Sequence, residues 1–201
     1  GAIELDWNLL HASTRLAEPL PDRSSLEARN ISAKREGAAL FAADNMQAHM
    51  RPNGPDLDLA LSFDALALDK ALVDGRELPP ISGTADVTVK DGVALVVSGE
   101  KGLRGRSGTI RGLTLSTGAD AGFSLSGDFA VDQEGLLDAQ FQLAIRNTSA
   151  LAKAAEQAFP EARDNIRTAS SGLTLLGQNP TMPLRIVKGR ATLGFIPLGR
   201  I

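Results

Sequence analysis

The residues that could do chemistry are few, and their spacing serves none of the common reactions. His11 and His49 are the whole stock of imidazoles, and cysteine is absent. A metal centre would need both histidines plus carboxylates, yet neither sits in a pattern such as H-E-x-x-H. His11 continues the face of Ile3, Leu5, Trp7 and Leu9 and reads as a strand-end residue, while His49 stands beside a turn. Asp56 and Asp58 would point to one side of a strand, as a calcium or acid–base pair would require. The alternation around them gives the simpler reading, a solvated polar face, and no EF-hand spacing follows. Gly99-Glu100-Lys101-Gly102-Leu103-Arg104-Gly105-Arg106-Ser107-Gly108 invites a phosphate-loop reading. It fails the G-x-x-x-x-G-K-[ST] spacing, and no helical pattern follows it. Lys101, Arg104, Arg106 and Arg111 still make a local basic cluster. Solvating charges on a hairpin loop are its plain reading, and contact with anionic lipid headgroups is its sharper one. No G-x-S-x-G elbow is present. The expectation is a protein that is not an enzyme, with no catalytic residue, no metal and no cofactor.

Composition narrows the classes further. The chain has 201 residues, 43% of them apolar and 22% charged, so it can bury a core and is not disordered by composition. With 21 basic against 24 acidic groups and a pI near 5.4, it has no basic field to drive nucleic-acid binding. The lack of cysteine removes disulfides, thiolate zinc sites and thiol nucleophiles. No run approaches the roughly 20 apolar residues of a spanning helix.

The elements that must position these side chains are strands. Period-two hydrophobicity, the mark of a strand with one buried face, dominates the chain. Leu57, Leu59, Leu61 and Phe63 alternate with polar or small residues, as do Ala85, Val87 and Val89. Phe123, Leu125, Phe129 and Val131 do the same, followed by Leu137, Phe141, Leu143 and Ile145. After Phe63 the apolar residues move to even positions, Leu66 and Leu68, which predicts a β-bulge near Asp64-Ala65. Turn chemistry separates the runs. Asp91-Gly92 predicts a two-residue hairpin between 87–90 and 93–97. Asp132-Gln133-Glu134-Gly135, Arg51-Pro52-Asn53-Gly54-Pro55 and Lys188-Gly189 predict three more reversals, the last joining 184–187 to 190–196. One segment differs. Residues 149–159 are rich in helix formers behind Asn147 and Thr148, and Pro160 suits the start of a second helix over 161–171. Ala162, Ile166 and Ala169 give that helix an apolar stripe, and Gly172 reads as its stop.

The fold class is therefore mainly β: an antiparallel meander of about eight to twelve strands, strongly curved or an incomplete barrel, with a helical hairpin near residues 148–171. Residues 1–201 read as a single β-rich domain cut from the C-terminal part of a longer chain, with the hairpin inserted in it. A sheet with one apolar face must be covered. A sandwich or closed barrel, a groove, and a partner are the three solutions, and self-covering is the commonest. Trp7, among Ile3, Leu5 and Leu9, reads as core.

The closing run from Leu184 to Gly199, with its Leu193-Gly194-Phe195-Ile196-Pro197-Leu198-Gly199 ending behind two Ala-rich helices, resembles an uncharacterised alphaproteobacterial family, domain of unknown function 2125. The pattern Gly127-Asp128-Phe129-Ala130-Val131-Asp132-Gln133-Glu134-Gly135 is consistent with it. Short runs such as Leu26-Glu27-Ala28-Arg29-Asn30-Ile31-Ser32 and Ile110-Arg111-Gly112-Leu113-Thr114-Leu115-Ser116 are similar to those of AsmA-type envelope proteins, whose strands form apolar grooves implicated in lipid movement. These resemblances imply a periplasmic domain held at the inner membrane by a segment outside this chain, and they carry over no catalytic residues. The expected function is to bind or transfer lipid or another apolar ligand in a curved apolar groove lined by Leu57, Leu59, Leu61, Phe63, Phe123, Leu125, Phe129, Phe141 and Leu143. The alternative is a scaffold or interaction module of the envelope with no ligand. The expected partners are a lipid or membrane surface, or an envelope protein, and not a nucleic acid.

Overall fold

The computed structural model describes residues 2–118 and 120–200; Gly1 and Ile201, at the ends of the two terminal runs, and Ala119 lie outside the described residues. Twelve strands form one antiparallel sheet: β1 (Ile3–Asp6), β2 (Leu9–Arg15), β3 (Arg23–Arg35), β4 (Ala38–Asn53), β5 (Asp56–Leu68), β6 (Ile81–Val89), β7 (Arg106–Thr117), β8 (Ala121–Val131), β9 (Leu137–Arg146), β10 (Thr181–Val187), β11 (Arg190–Leu193) and β12 (Ile196–Arg200). From β3 to β12 the order in space is the order in sequence, and β1 and β2 lie end to end along the free side of β3. The sheet is curved and does not close. Three helices accompany it: α1 (Gly92–Ser98), α2 (Thr148–Ala158) and α3 (Arg163–Thr174). Self-covering as a sandwich or closed barrel is not the solution adopted. The surface of 12391 Å² exceeds the about 9,000 Å² that a compact chain of this mass exposes.

The bulge at Asp64-Ala65 is present. Pairing of β5 with β6 shifts between Phe63 and Leu66, and Ala65 takes φ 50°. It is one point of a longer crease. The registers set Asn8 across from Asn30, Asn30 across from Asp44, and Asp44 across from Ala65. Asn30 has φ 47°, and the edge strand breaks into β1 and β2 at the same level. Across this line the inward residues change parity, from Leu26 and Ala28 to Ile31 and Ala33 in β3. Such irregularities bend strands and increase local twist.

Several local expectations need correction. Asp91 makes the tight turn, with φ 52°, but the chain enters α1 rather than a strand. Residues 93–97 are apolar without alternation, a pattern no one-faced strand can carry, and β7 already occupies the edge of β6 as far as the Val89–Gly108 pair. Gly99, at φ 68°, ends the helix. Residues 190–196 are not one strand. Gly194, at φ 58°, turns β11 back into β12. Asn147 caps α2 by accepting the Ala150 N–H at 3.1 Å. Helix α3 runs through Gly172 to Thr174, because a glycine inside a helix only weakens it, and Gly177 at φ 103° follows the true end. Trp7 is not core. It is 47% exposed at the crease, in the break between the edge strands β1 and β2. His11 lies in the middle of β2, across from Glu27, rather than at a strand end.

Candidate functional site

Every strand turns one face inward, and cross-strand registers align those faces into apolar rows. Leu61 leads through Ala85, Leu113 and Leu125 to Leu143 and Met182. Leu59 leads through Val87, Ile110 and Gly127 to Phe141, and Leu57 through Val89, Gly108 and Phe129 to Ala139. Phe63 leads through Gly83, Leu115 and Phe123 to Ile145. On the other side of β5 the rows continue through Met46, Ala48 and Met50 to Leu26 and Ala28. All nine predicted lining residues fall on this one face. Glycine is needed at several places in it, two of them beside aromatic rings. A Cβ on Gly83 would come within 2.7 Å of Phe63 and Leu115, and one on Gly108 within 2.8 Å of the Phe129 ring and 2.3 Å of the Thr88 carbonyl. The aromatic rings lie in the space those glycines leave.

Helices cover the two ends of this face and leave the middle. At one end, α1 folds back so that the Val93 N–H donates to the Pro55 carbonyl, and Leu57 and Val89 are sealed beneath Gly92. At the other, Leu151 of α2 and Leu173 of α3 pack against Ile145, Met182 and Leu193. Phe141, with Ala139, Ile186 and Ala191, forms an adjoining cluster against which Leu125 and Phe129 pack. Helix α2 leaves the end of β9, passes β8, and ends near the β5–β6 connection. There Arg76 donates to Glu161 at 2.7 Å and stacks 5.2 Å from the Phe159 ring centre. Between the two covers lies an apolar trough of about 220 Å³. Its walls are Leu26, Met46, Ala48, Leu61, Phe63, Ala85, Leu113 and Leu115, with Gln47, Ser62 and Thr84 at the margin. Leu61 is 53% exposed and Leu26 43% exposed, in the interior of a sheet.

The nine expected residues thus separate. Leu61 and Phe63 line the trough. Leu57 is sealed, Phe141 is packed in a cluster, and Leu125, Phe129 and Leu143 pack against the clusters. Leu59 and Phe123 are half-buried on the floor beside it.

The opposite face is polar, and it holds the feature that the sequence reading of Asp56 and Asp58 missed. Asp58 is not solvated: it is 5% exposed. It accepts from Arg51 Nε and Nη2 at 3.2 and 3.1 Å, from Thr88 Oγ1 at 2.7 Å, and from Arg111 Nη1 at 2.9 Å. Burial opposes its ionisation most strongly as a single influence. The hydrogen bonds from Arg111, Thr88 and Arg51 together outweigh it and hold the carboxyl below the usual aspartate range. Arg111 reaches it because it is the extra residue in β7, where pairing shifts against both β6 and β8. It also binds Asp86. The predicted basic cluster is therefore dispersed, with Arg106 on Glu100 and Arg111 on the aspartates. Asp56 accepts the Asp91 N–H at 2.9 Å. His49 pairs with Ser25 at 2.9 Å. Among the described residues no group of three His, Asp or Glu is placed to hold a metal.

Across residues 1–201 the sequence matches the model of a family described as an uncharacterised protein conserved in bacteria. The chain belongs to DUF2125. No curated protein matches it. In this DUF2125 domain the wall residues outside the nine, such as Met46, Ala48 and Leu113, carry the same alternation that marks β5. Period two finds the face. What selects the open part of it is where α1 and α2 fold back.

Proposed function

We propose that this domain is a non-enzymatic binder of lipid, holding a hydrocarbon chain in the trough between its two helical covers. The observation that carries the reading is Leu61, more than half exposed in the middle of a twelve-stranded sheet and flanked by Leu26, Met46, Phe63 and Leu113. Leaving such a surface in water is unfavourable by about 25 cal/mol per Å². The inner strands have neighbours on both sides, so their backbone donors and acceptors serve the sheet. A peptide laid there would find no partners for its own N–H and C=O groups, whereas a hydrocarbon needs none. The bacterial envelope supplies such chains. The proposal sets the domain on the periplasmic side of the inner membrane, and the likeness to AsmA-type proteins in alphaproteobacteria belongs to it.

The test is mass spectrometry of an organic extract from protein purified without detergent, beside a delipidated sample re-exposed to lipid. Stoichiometric fatty acid or phospholipid is expected, and it should be lost in Leu61→Asp, whose exposed side chain leaves the fold intact. An empty extract, with no uptake on re-exposure, would overturn the reading. That outcome favours a scaffold module pairing through the open sheet edges, where Leu9 and Leu10 on β2 and Ile196 and Leu198 on β12 are exposed.

A further inference from the structure

Cross-strand pairing sets three arginines at one level on three neighbouring strands of the polar face. Arg15 of β2 is the partner of Arg23 in β3. Arg51 of β4 lies one residue beyond Met50, the partner of Ser24, and so faces Arg23 from the other side. Together they line one depression of about 560 Å³ with Asp22 and Asn53. Like charges directly opposite one another destabilise a sheet. Adjacent strands are only about 4.8 Å apart, well inside the roughly 10 Å screening length of 0.1 M salt. A chain with more acidic than basic groups has no compositional reason to stack three guanidinium groups in one row.

The protein's own carboxylates leave this row undercompensated. Asp22 stands 3.6 Å from Arg15 with both side chains well exposed, a weak pairing. Arg51 gives two donors to Asp58, and Arg111, which shares that carboxylate, is also held by Asp86, so the surplus charge of the row is Arg23. The Arg23 guanidinium, in the centre, has no hydrogen bond or ion pair among the described residues; only the Arg23 carbonyl is engaged, accepting from Thr14 Oγ1 at 3.3 Å. What fits between the three forks is a compact anion with several acceptor oxygens. Planar guanidinium groups bind phosphate oxygens in bidentate fashion, and Asp58 already fixes the orientation of Arg51.

We propose that Arg15, Arg23 and Arg51 form a binding site for a phosphate group, carried either by inorganic phosphate or by a lipid headgroup. The site stands on charge and register, independently of the trough on the other face. Two titrations of the whole chain test it: inorganic phosphate followed by calorimetry, and co-sedimentation with phosphatidylcholine vesicles with and without phosphatidic acid. Arg23→Gln removes the unpaired charge and no contact. Arg146→Gln removes an equal charge at the opposite end of the sheet. The wild-type chain and Arg146→Gln should bind alike, and Arg23→Gln about tenfold more weakly, with its melting temperature unchanged or raised as the repulsion is relieved. Saturable phosphate binding without vesicle preference would assign the site to the free anion, and selective binding of phosphatidic acid vesicles would assign it to the headgroup. No phosphate response and no vesicle preference, or equal weakening in both variants, would overturn the site. Leu61→Asp should bind phosphate normally, so this proposal and the hydrocarbon reading fail separately.

Discussion

Asp58 shows how one side chain can be read wrongly from alternation and then explain a local design. Its position in β5 is polar in the pattern, and the polar face is where it points, yet Arg51, Arg111 and Thr88 close over it. Its carboxyl is held below the ordinary aspartate value of 3.8 in the folded chain only. It therefore stabilises the fold above about pH 4, and that contribution disappears as pH falls through the lowered folded value. Asp58→Asn should cost about 1–2 kcal/mol at neutral pH, the modest figure reflecting arginine partners that are themselves half exposed. Urea midpoints for the two proteins at pH 7 should differ, and the gap should narrow toward pH 3. A gap that stays constant over that range would show that packing, and not the ion pairs, is what the substitution removes.

The tip of the helical hairpin is tied to the sheet through one arginine side chain among the described residues. Arg76, from the long β5–β6 connection, meets Glu161 and Phe159 where α2 turns into α3. Arg76→Ala should change global stability by no more than about 1 kcal/mol, since such pairs are weak when exposed. Amide hydrogen exchange over residues 159–171 should nevertheless speed up several-fold. Exchange that is unaltered there would mean that Leu151 and Leu173 alone hold the helices down. The helices themselves were legible from Asn147 and Pro160, and strands β4, β5, β8 and β9 from their alternation and turns. The crease was legible only in part. Phe63 to Leu66 announces the change of parity in β5, and the same change from Ala28 to Ile31 stands in β3, but only pairing through β4 shows that the two lie on one line. Helix α1 was misread because Asp91-Gly92 is a hairpin signal judged from two residues, whereas the next strand to pair with β6 begins only at Arg106. The open stretch of the apolar face was not legible at all. It depends on where α1 and α2 land, which is tertiary information.

At the scale of the whole molecule, the sheet is one layer with helical covers at its two ends, which is why its surface is so large for its mass. The feature with the widest consequence is the strand order. From β3 onward each strand is hydrogen-bonded to the one before it and the one after it in sequence. Chain closure is therefore local at every step, and assembly can proceed like the teeth of a zipper. The same order makes the molecule nearly one-dimensional, its stability a sum of nearest-neighbour terms, as in repeat arrays. The packed clusters lie in β9–β11, and at the far edge β1 and β2 are exposed at every residue. Denaturant should accordingly peel the N-terminal strands first, with Trp7 fluorescence reporting their release at lower urea than the loss of far-ultraviolet circular dichroism. Coincident transitions would mean that the curved layer breaks all at once. Cooperativity, in a sheet built this way, has to be carried from strand to strand.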